Sequence, residues 1–328
     1  MGEEQKAEQR NAAVRLLRES QRVAILSHIN PDGDTLGSAL ALSHGLRQLG
    51  KRTVVFCPDS LPANLAFLPG YEEIQTDGGL PEDLDLIAFV DASDTGRHGR
   101  LSIRNRDVPP HVRLLNIDHH QTNDHFGEVN FVDSDAAATG EQIYDILQAL
   151  QVTIDLPIAT CLLTALVTDT QGFRTANTTS RTLAIAARLR EMGAPLSAIV
   201  ECVYRSRTLS SLRLWGLALS QLQCENGICW AHIIPEMQEQ VGSPPFEGDG
   251  VVDLMASLGN TLAVVLFKQT ADGIKVSMRS SAKLNVAEVA ARFGGGGHPR
   301  AAGCLVMGSL ADVEREVLQY LAEKAAVL

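Results

Sequence analysis

Val23-Ala-Ile-Leu-Ser-His-Ile-Asn-Pro-Asp-Gly-Asp34 is the stretch on which the reading of the fold turns. Its first four residues form an apolar run too short for a helix, the pattern of a strand buried on both faces. The run breaks into a polar segment that Pro31 and Gly33 turn sharply. His28, Asp32 and Asp34 are thereby aimed at one volume beyond the strand end. A helical pattern resumes over residues 36–49 and stops at Gly50.

The same grammar recurs outward from this stretch. Residues 11–22 read as an amphipathic helix. Residues 53–56, 84–90 and 112–117 read as further strands, the third ending at Asp91 and the fourth at Asp118-His119-His120. Helices are expected over 139–150 and 157–168, the latter ending at Asp169. Strands alternating with helices imply an α/β domain with a mostly parallel sheet. Such sheets place ligands just beyond the C-terminal ends of their strands, where these polar groups fall. Residues 180–220 look helical, broken at Gly193-Ala-Pro195, and strand-like runs follow at 227–234, 262–267 and 274–278. Helices are expected over 286–292 and 310–326, the first leading into Phe293-Gly-Gly-Gly-Gly-His298. The expected organisation is an α/β domain over residues 1–190, a helical connector over 191–216 and a smaller α/β domain over 217–328, with the active site in the cleft between the domains.

Composition narrows the function classes. With 45% hydrophobic and 20% charged residues the chain is globular. No apolar run reaches the ~20 residues that span a bilayer, and the polar first ten residues lack the apolar stretch of a signal sequence. A cytoplasmic protein with no membrane partner is expected. The six cysteines form no C-x-x-C pair and read as free thiols, mostly buried. The net charge of −11 lies wholly before Asp249, because the eight acidic and eight basic residues from there onward balance. A protein that tracks long nucleic acid usually presents a basic face, and a net charge of −11 argues against that class. Aromatic residues at 5% also disfavour tracking by base stacking.

His28, Asp32, Asp34, Asp91, Asp118, His119, His120 and Asp169 come from four separate segments. Mixed carboxylate and imidazole donors suit manganese, iron or zinc better than magnesium alone. Carboxylates gathered this closely repel one another unless cations sit among them. An isolated aspartate after a strand is usually a turn residue and an isolated His pair is usually surface; four such segments at successive strand or helix ends point to a metal site. Gly294–Gly297, with His298 and Arg279-Ser280, suggests a second, anion-binding pocket; the plainer alternative is a tight turn that packs a helix against a strand. His44, His98, His111, His125 and His232 receive no role, His98 and His125 being expected at the surface or behind the site.

These segments in order resemble the DHH phosphoesterases. His28-x-Asn30-Pro31-Asp32-x-Asp34 with Leu36-Gly37-Ser38 is similar to the first signature, Val90-Asp91 to the second, Asp118-His119-His120 to the third and Thr168-Asp169-Thr170 to the fourth. Arg279-Ser280 and Gly294–Gly303 resemble the signature of the DHH-associated C-terminal domain. The likeness is strongest to the short two-domain bacterial nanoRNase group, which joins oligoribonuclease to pAp phosphatase activity. It implies two divalent ions, manganese foremost with magnesium or cobalt as substitutes. One ion would take His28, Asp32 and Asp91; the other would take Asp34, Asp91, His119 and Asp169, with Asp91 bridging. Asp118 would orient a histidine and His120 would lie beside the reacting phosphate. Arg279, Ser280, Gly295, Gly296, Gly297 and His298 would hold the end of a short RNA, pAp or a dinucleotide. A homodimer is the common soluble arrangement. Two rivals remain open: a phosphodiesterase of linear or cyclic dinucleotides, and a non-catalytic RNA- or nucleotide-binding protein.

Overall fold

In the computed structural model, residues 2–101, 108–205, 207–244, 248, 250–281 and 283–326 are described. They form two compact units, Met1–Ser206 and Arg207–Leu328.

The first unit is built on five parallel strands: β1 (Arg22–Leu26), β2 (Arg52–Phe56), β3 (Leu86–Val90), β4 (Arg113–Asp118) and β5 (Val129–Val132). Their order across the sheet is β2-β1-β3-β4-β5. In such a doubly wound order the chain leaves β1 toward one edge and returns to build the other from β3, so a crevice opens between the C-terminal ends of β1 and β3. The apolar run that opened the sequence reading is explained by burial on both faces. Val23 and Ile25 join the main core with helices α1 (Glu3–Glu19), α2 (Gly33–Gln48), α3 (Thr139–Ala149) and α4 (Leu156–Asp169). Ala24 and Leu26 face a smaller cluster with Phe56, Ile87 and Phe89. Gly37 lets α2 and α4 approach closely, because a Cβ there would lie 2.5 Å from the Cys161 carbonyl oxygen. Two further helices, α5 (Ser180–Glu191) and α6 (Leu196–Tyr204), lie against α4.

The second unit opens with α7 (Leu209–Ser220) and carries a mixed six-stranded sheet. Its elements run β6 (Gln223–Glu225), β7 (Ile228–Ile233), α8 (Pro235–Val241), α9 (Val251–Met255), β8 (Ala263–Thr270), β9 (Gly273–Ser280), α10 (Val286–Arg292), β10 (Gly296–His298), β11 (Ala301–Val306) and α11 (Leu310–Ala325). The sheet order is β10-β11-β9-β8-β7-β6, with only β7 and β8 parallel. The stretch expected as a connector, 191–216, holds α6, which lies on the first unit, and the start of α7, which packs on β7 of the second.

Several local expectations are corrected. Helix α1 begins at Glu3, well before residue 11, and ends at Glu19. Its extra turns are polar except for Ala7, so no apolar stripe marks them, but Glu3 and Glu4 suit a helix N-terminus. Cys224 and Cys229 are paired across the β6–β7 hairpin and joined in a disulfide, so they are not free thiols. Cys57, Cys161 and Cys304 are buried free thiols, and Cys202 is half-buried. No helix among the described residues is long and apolar enough to cross a membrane.

Candidate metal centre at the strand ends

The crevice between β1 and β3 is where the sequence-selected side chains meet. Past β1, Asp32 caps α2 by accepting the amides of Asp34 and Thr35 at 3.0 and 3.1 Å. Thr35 ties this loop to the neighbouring strand, its hydroxyl donating to the Val90 carbonyl at 3.1 Å. His28 is held from behind: its Nδ1 lies 2.7 Å from the Ile29 carbonyl oxygen. Since that oxygen can only accept, the proton sits on Nδ1 in the neutral ring and the Nε2 lone pair faces the crevice. Asp91, just past β3, adopts a left-handed backbone (φ 62°) that a non-glycine residue rarely takes. Such conformations gather at functional sites. His119 and His120 follow β4, and Asp169 is the last residue of α4. The Nδ1 of His119 donates to the Ala136 carbonyl at 3.2 Å, so its Nε2 also faces the crevice.

The two oxygens of Asp91 look in different directions. Oδ2 lies 3.3 Å from His28 Nε2, which is 3.9 Å from Asp32 Oδ1. Oδ1 lies 3.6 Å from His119 Nε2, which is 3.8 Å from Asp34 Oδ2 and 3.4 Å from Asp169 Oδ2. Two donor sets therefore converge, His28–Asp32–Asp91 and Asp34–Asp91–His119, each with ligand atoms within 4.8 Å of one another. Asp91 belongs to both. His120 joins Asp91 from a third side: its Nδ1 lies 2.7 Å from Asp118 Oδ1 and 3.7 Å from Asp91 Oδ1, and these three residues form a further candidate donor group. The other Asp118 oxygen accepts from Asn123 Nδ2 at 2.5 Å.

Charge explains why such a cluster calls for cations. Burial, together with the negative charges of Asp91 and Asp169, pushes Asp34 well above the usual carboxylate range. Asp169 is raised to about 6, by burial and by Asp91 and Asp32, despite the opposing pull of His119. Burial disfavours the charge on Asp91 too, but the hydrogen bond with His28 and the nearby imidazoles outweigh it and hold its carboxyl low. For His119, burial is outweighed by Asp169, Asp91, Asp34 and Asp118, and the ring is lifted to about 10. Without an ion the cluster balances itself by retaining protons. The donors fit a pair of divalent ions: both imidazoles present Nε2, one carboxylate is shared, and the carboxylates strain against one another otherwise.

In the second unit the glycine-histidine segment forms a sheet edge. His298 pairs with Ala301, which pairs with Arg279, so His298 and Arg279 share one row of the sheet two strands apart. Arg279 Nε donates to Asp253 Oδ1 at 2.8 Å. The Ser280 hydroxyl donates to the Leu284 carbonyl at 2.6 Å, and the Gly295 amide donates to the Ala290 carbonyl. Neither group is therefore directed at an anion in this arrangement. Gly295 is required by packing, because a Cβ there would lie 2.1 Å from the Gly303 carbonyl oxygen. The tight-turn alternative thus accounts for that glycine, while Gly296 has open space where a Cβ would stand.

Some participants escaped sequence reasoning. Thr139, expected only as the start of a helix, bonds two of the clustered carboxylates. The Ser38 hydroxyl donates to Asp34 Oδ1 at 3.0 Å. Asp253, to which the sequence assigned no role, pairs with Arg279. Of the two expectations for His98, the surface one fails; it lies behind the site, near enough to His28 to feel its charge. It is fully buried, with ring centroids 4.5 Å from Phe89 and 5.9 Å from Phe126, and burial pulls it down to about 3. It is a neutral core residue.

A doubly wound α/β unit whose switch point gathers imidazoles and a shared carboxylate into a candidate metal centre defines the class. The chain belongs to the DHH family: the model of the DHH family N-terminal domain matches residues 22–166 and that of the DHHA1 domain matches residues 248–326. The chain is similar to the bifunctional oligoribonuclease and PAP phosphatase NrnA of Thermus thermophilus, at 33% identity over 92% of this chain and 90% of that one. The NrnA of Bacillus subtilis is 27% identical over 85% and 87%. The cyclic-di-AMP phosphodiesterase GdpP of Geobacillus thermodenitrificans is 28% identical, but the match spans only 44% of its length. Among solved structures, an exopolyphosphatase-related protein from Bacteroides fragilis superposes with a TM-score of 0.87 at 25% identity, covering 98% of this chain and 97% of that one. RecJ of Thermus thermophilus in complex with Mn2+ shares the fold, at a TM-score of 0.55 and 17% identity, covering 98% of this chain and 55% of that one.

Proposed function

We propose that the chain is a metal-dependent phosphoesterase that hydrolyses short oligoribonucleotides to mononucleotides and removes a phosphate from pAp. The observation that carries this is the pair of donor sets sharing Asp91. When bound, a pair of divalent ions supplies an activated water at neutral pH and neutralises charge on a phosphate. The chain's residues do the rest. His28 and His119 are locked by carbonyls so that Nε2 faces the site. Asp118 fixes His120 through Nδ1, leaving Nε2 as the atom that can hand a proton to a departing ester oxygen. The deep burial of Asp34 and His119 limits water around the charges and so strengthens them.

Manganese is the proposed ion, because mixed carboxylate and imidazole donors suit it better than magnesium. The NrnA relatives, matched over nearly their whole length, supply the substrate reading. An acidic chain that depends on a few fixed contacts suits a short substrate better than a long one. A cytoplasmic location is part of the same proposal. The test is to strip the protein of metal, restore manganese, and offer pAp, a linear dinucleotide and a cyclic dinucleotide side by side. Metal-dependent turnover of pAp and the linear dinucleotide supports the reading. Turnover of the cyclic dinucleotide alone would replace it with a signalling phosphodiesterase, and no turnover with any divalent ion would leave a binding protein.

A further inference from the structure

We propose that Thr139 is a positioning residue that makes the two ion sites unequal: it bonds two donors of the Asp34–Asp91–His119 set, Asp34 through its amide and Asp91 through its hydroxyl, but only the shared Asp91 of the His28–Asp32–Asp91 set. The proposal rests on the two-ion reading above.

Helix α3 starts without a capping side chain of its own. Its N-cap is Ala138, which can offer no oxygen to the first amides. The carboxylate of Asp34, distant in sequence, takes that role. Asp34 Oδ2 accepts the Thr139 amide at 2.7 Å and Oδ1 accepts the Gly140 amide at 3.0 Å. The positive end of α3 is therefore spent on a buried carboxylate that would otherwise be costly to keep ionised.

The Thr139 side chain does something separate. Thr160, Thr164 and Thr168 on α4 all donate to a carbonyl four residues back, the usual habit of a helical threonine. Thr139, at the first position of its helix, instead donates to Asp91 Oδ1 at 3.0 Å. That oxygen is the one facing His119, not the one facing His28. A carboxylate oxygen has two acceptor sites, so one can hold the Thr139 proton while the other meets an ion. The hydroxyl thus fixes how Asp91 is rotated, and one residue braces ligands from the β1–α2 turn and from the end of β3.

The experiment uses the full chain with Thr139→Val, which keeps the shape and removes the hydroxyl, and Thr139→Ser, which keeps the donor. Manganese is titrated into each metal-free protein by calorimetry, and the thermal midpoint of each metal-free protein is recorded as a check on folding. Wild type should take two ions. Thr139→Val should weaken the ion facing Asp91 Oδ1 by roughly 10- to 100-fold, as loss of a hydrogen bond behind a ligand does, and the ion facing Oδ2 by clearly less. Asp34→Asn alone should weaken the same ion further than Thr139→Val does and spare the other, identifying the affected ion as the one held by Asp34. Thr139→Ser should restore wild-type binding. Equal weakening of both ions, unchanged binding in Thr139→Val, or failure of Thr139→Ser to restore binding would overturn the proposal. A wild-type protein that takes fewer than two ions would overturn the two-ion reading itself, and Thr139's part with it.

Discussion

Replacing Asp91 by Asn keeps the volume of the side chain and removes the charge shared by both donor sets. Asp91 is buried, so solvent cannot stand in for the lost carboxylate. Its oxygens lie 3.3 Å from His28 Nε2 and 3.6 Å from His119 Nε2. Breaking a buried charge interaction from one side costs about 3–5 kcal/mol, which at 1.4 kcal/mol per decade is roughly a 10²- to 10⁴-fold loss of ion affinity. An ion at a hundred times its Kd stabilises by about 2.7 kcal/mol, or about 5–10 °C in midpoint for a domain of this size. Differential scanning of metal-free and manganese-loaded protein reads this directly. Wild type should gain that increment, and Asp91→Asn should gain almost none. The metal-free variant should stay folded, because the substitution also relieves the repulsion that raises Asp34 and Asp169. A variant that retains the full manganese increment and full turnover would refute the shared role of Asp91.

Ion affinity should rise with pH, because the donors must shed protons first. Asp169 is raised to about 6 and His119 to about 10, so manganese affinity measured by calorimetry should climb from about pH 6 toward 10, with proton release detected across buffers of different ionisation enthalpy. The metal-free protein should show the opposite trend from these two groups. Both have folded pKa values above their unfolded ones, so their contribution to stability is largest at low pH and is lost as pH rises through about 6 for Asp169 and about 10 for His119. Asp118→Asn should leave two ions bound but lower kcat by roughly 10²- to 10⁴-fold through loss of the oriented His120, seen as a fall in kcat with little change in KM. Gly295→Ala should lower the thermal midpoint of the second unit, at a cost of about 1–3 kcal/mol for overpacking against the Gly303 carbonyl, while manganese still binds.

What the sequence disclosed follows from where the physics is local. A four-residue apolar run buried on both faces can be read without a structure, as can the Pro31–Gly33 turn after it. The donor residues could be assembled because each stands at the end of a strand or helix, where an α/β sheet gathers its ligands. The role of Thr139 was not legible because its partners, Asp34 and Asp91, are 105 and 48 residues away in the chain, and no periodicity announces a cap supplied from that distance. β5 was missed because four residues at a sheet edge, with Asn130 among them, carry little pattern. The Cys224–Cys229 bond depends on the hairpin register, and that register is set only once β6 and β7 pair. The sequence left His98 between the surface and a place behind the site; the rings of Phe89 and Phe126, which make room for a neutral imidazole inside the unit, decide for the interior.

The most direct test of the central claim is the length dependence of hydrolysis. Purified, metal-stripped protein is given end-labelled RNAs from two to about 20 nucleotides, with and without manganese, and mononucleotide release is followed over time. The account predicts release only with the ion present, fastest on the shortest chains and falling steeply as they lengthen. Equal rates on long and short RNAs, or hydrolysis that persists when every divalent ion has been removed, would contradict it.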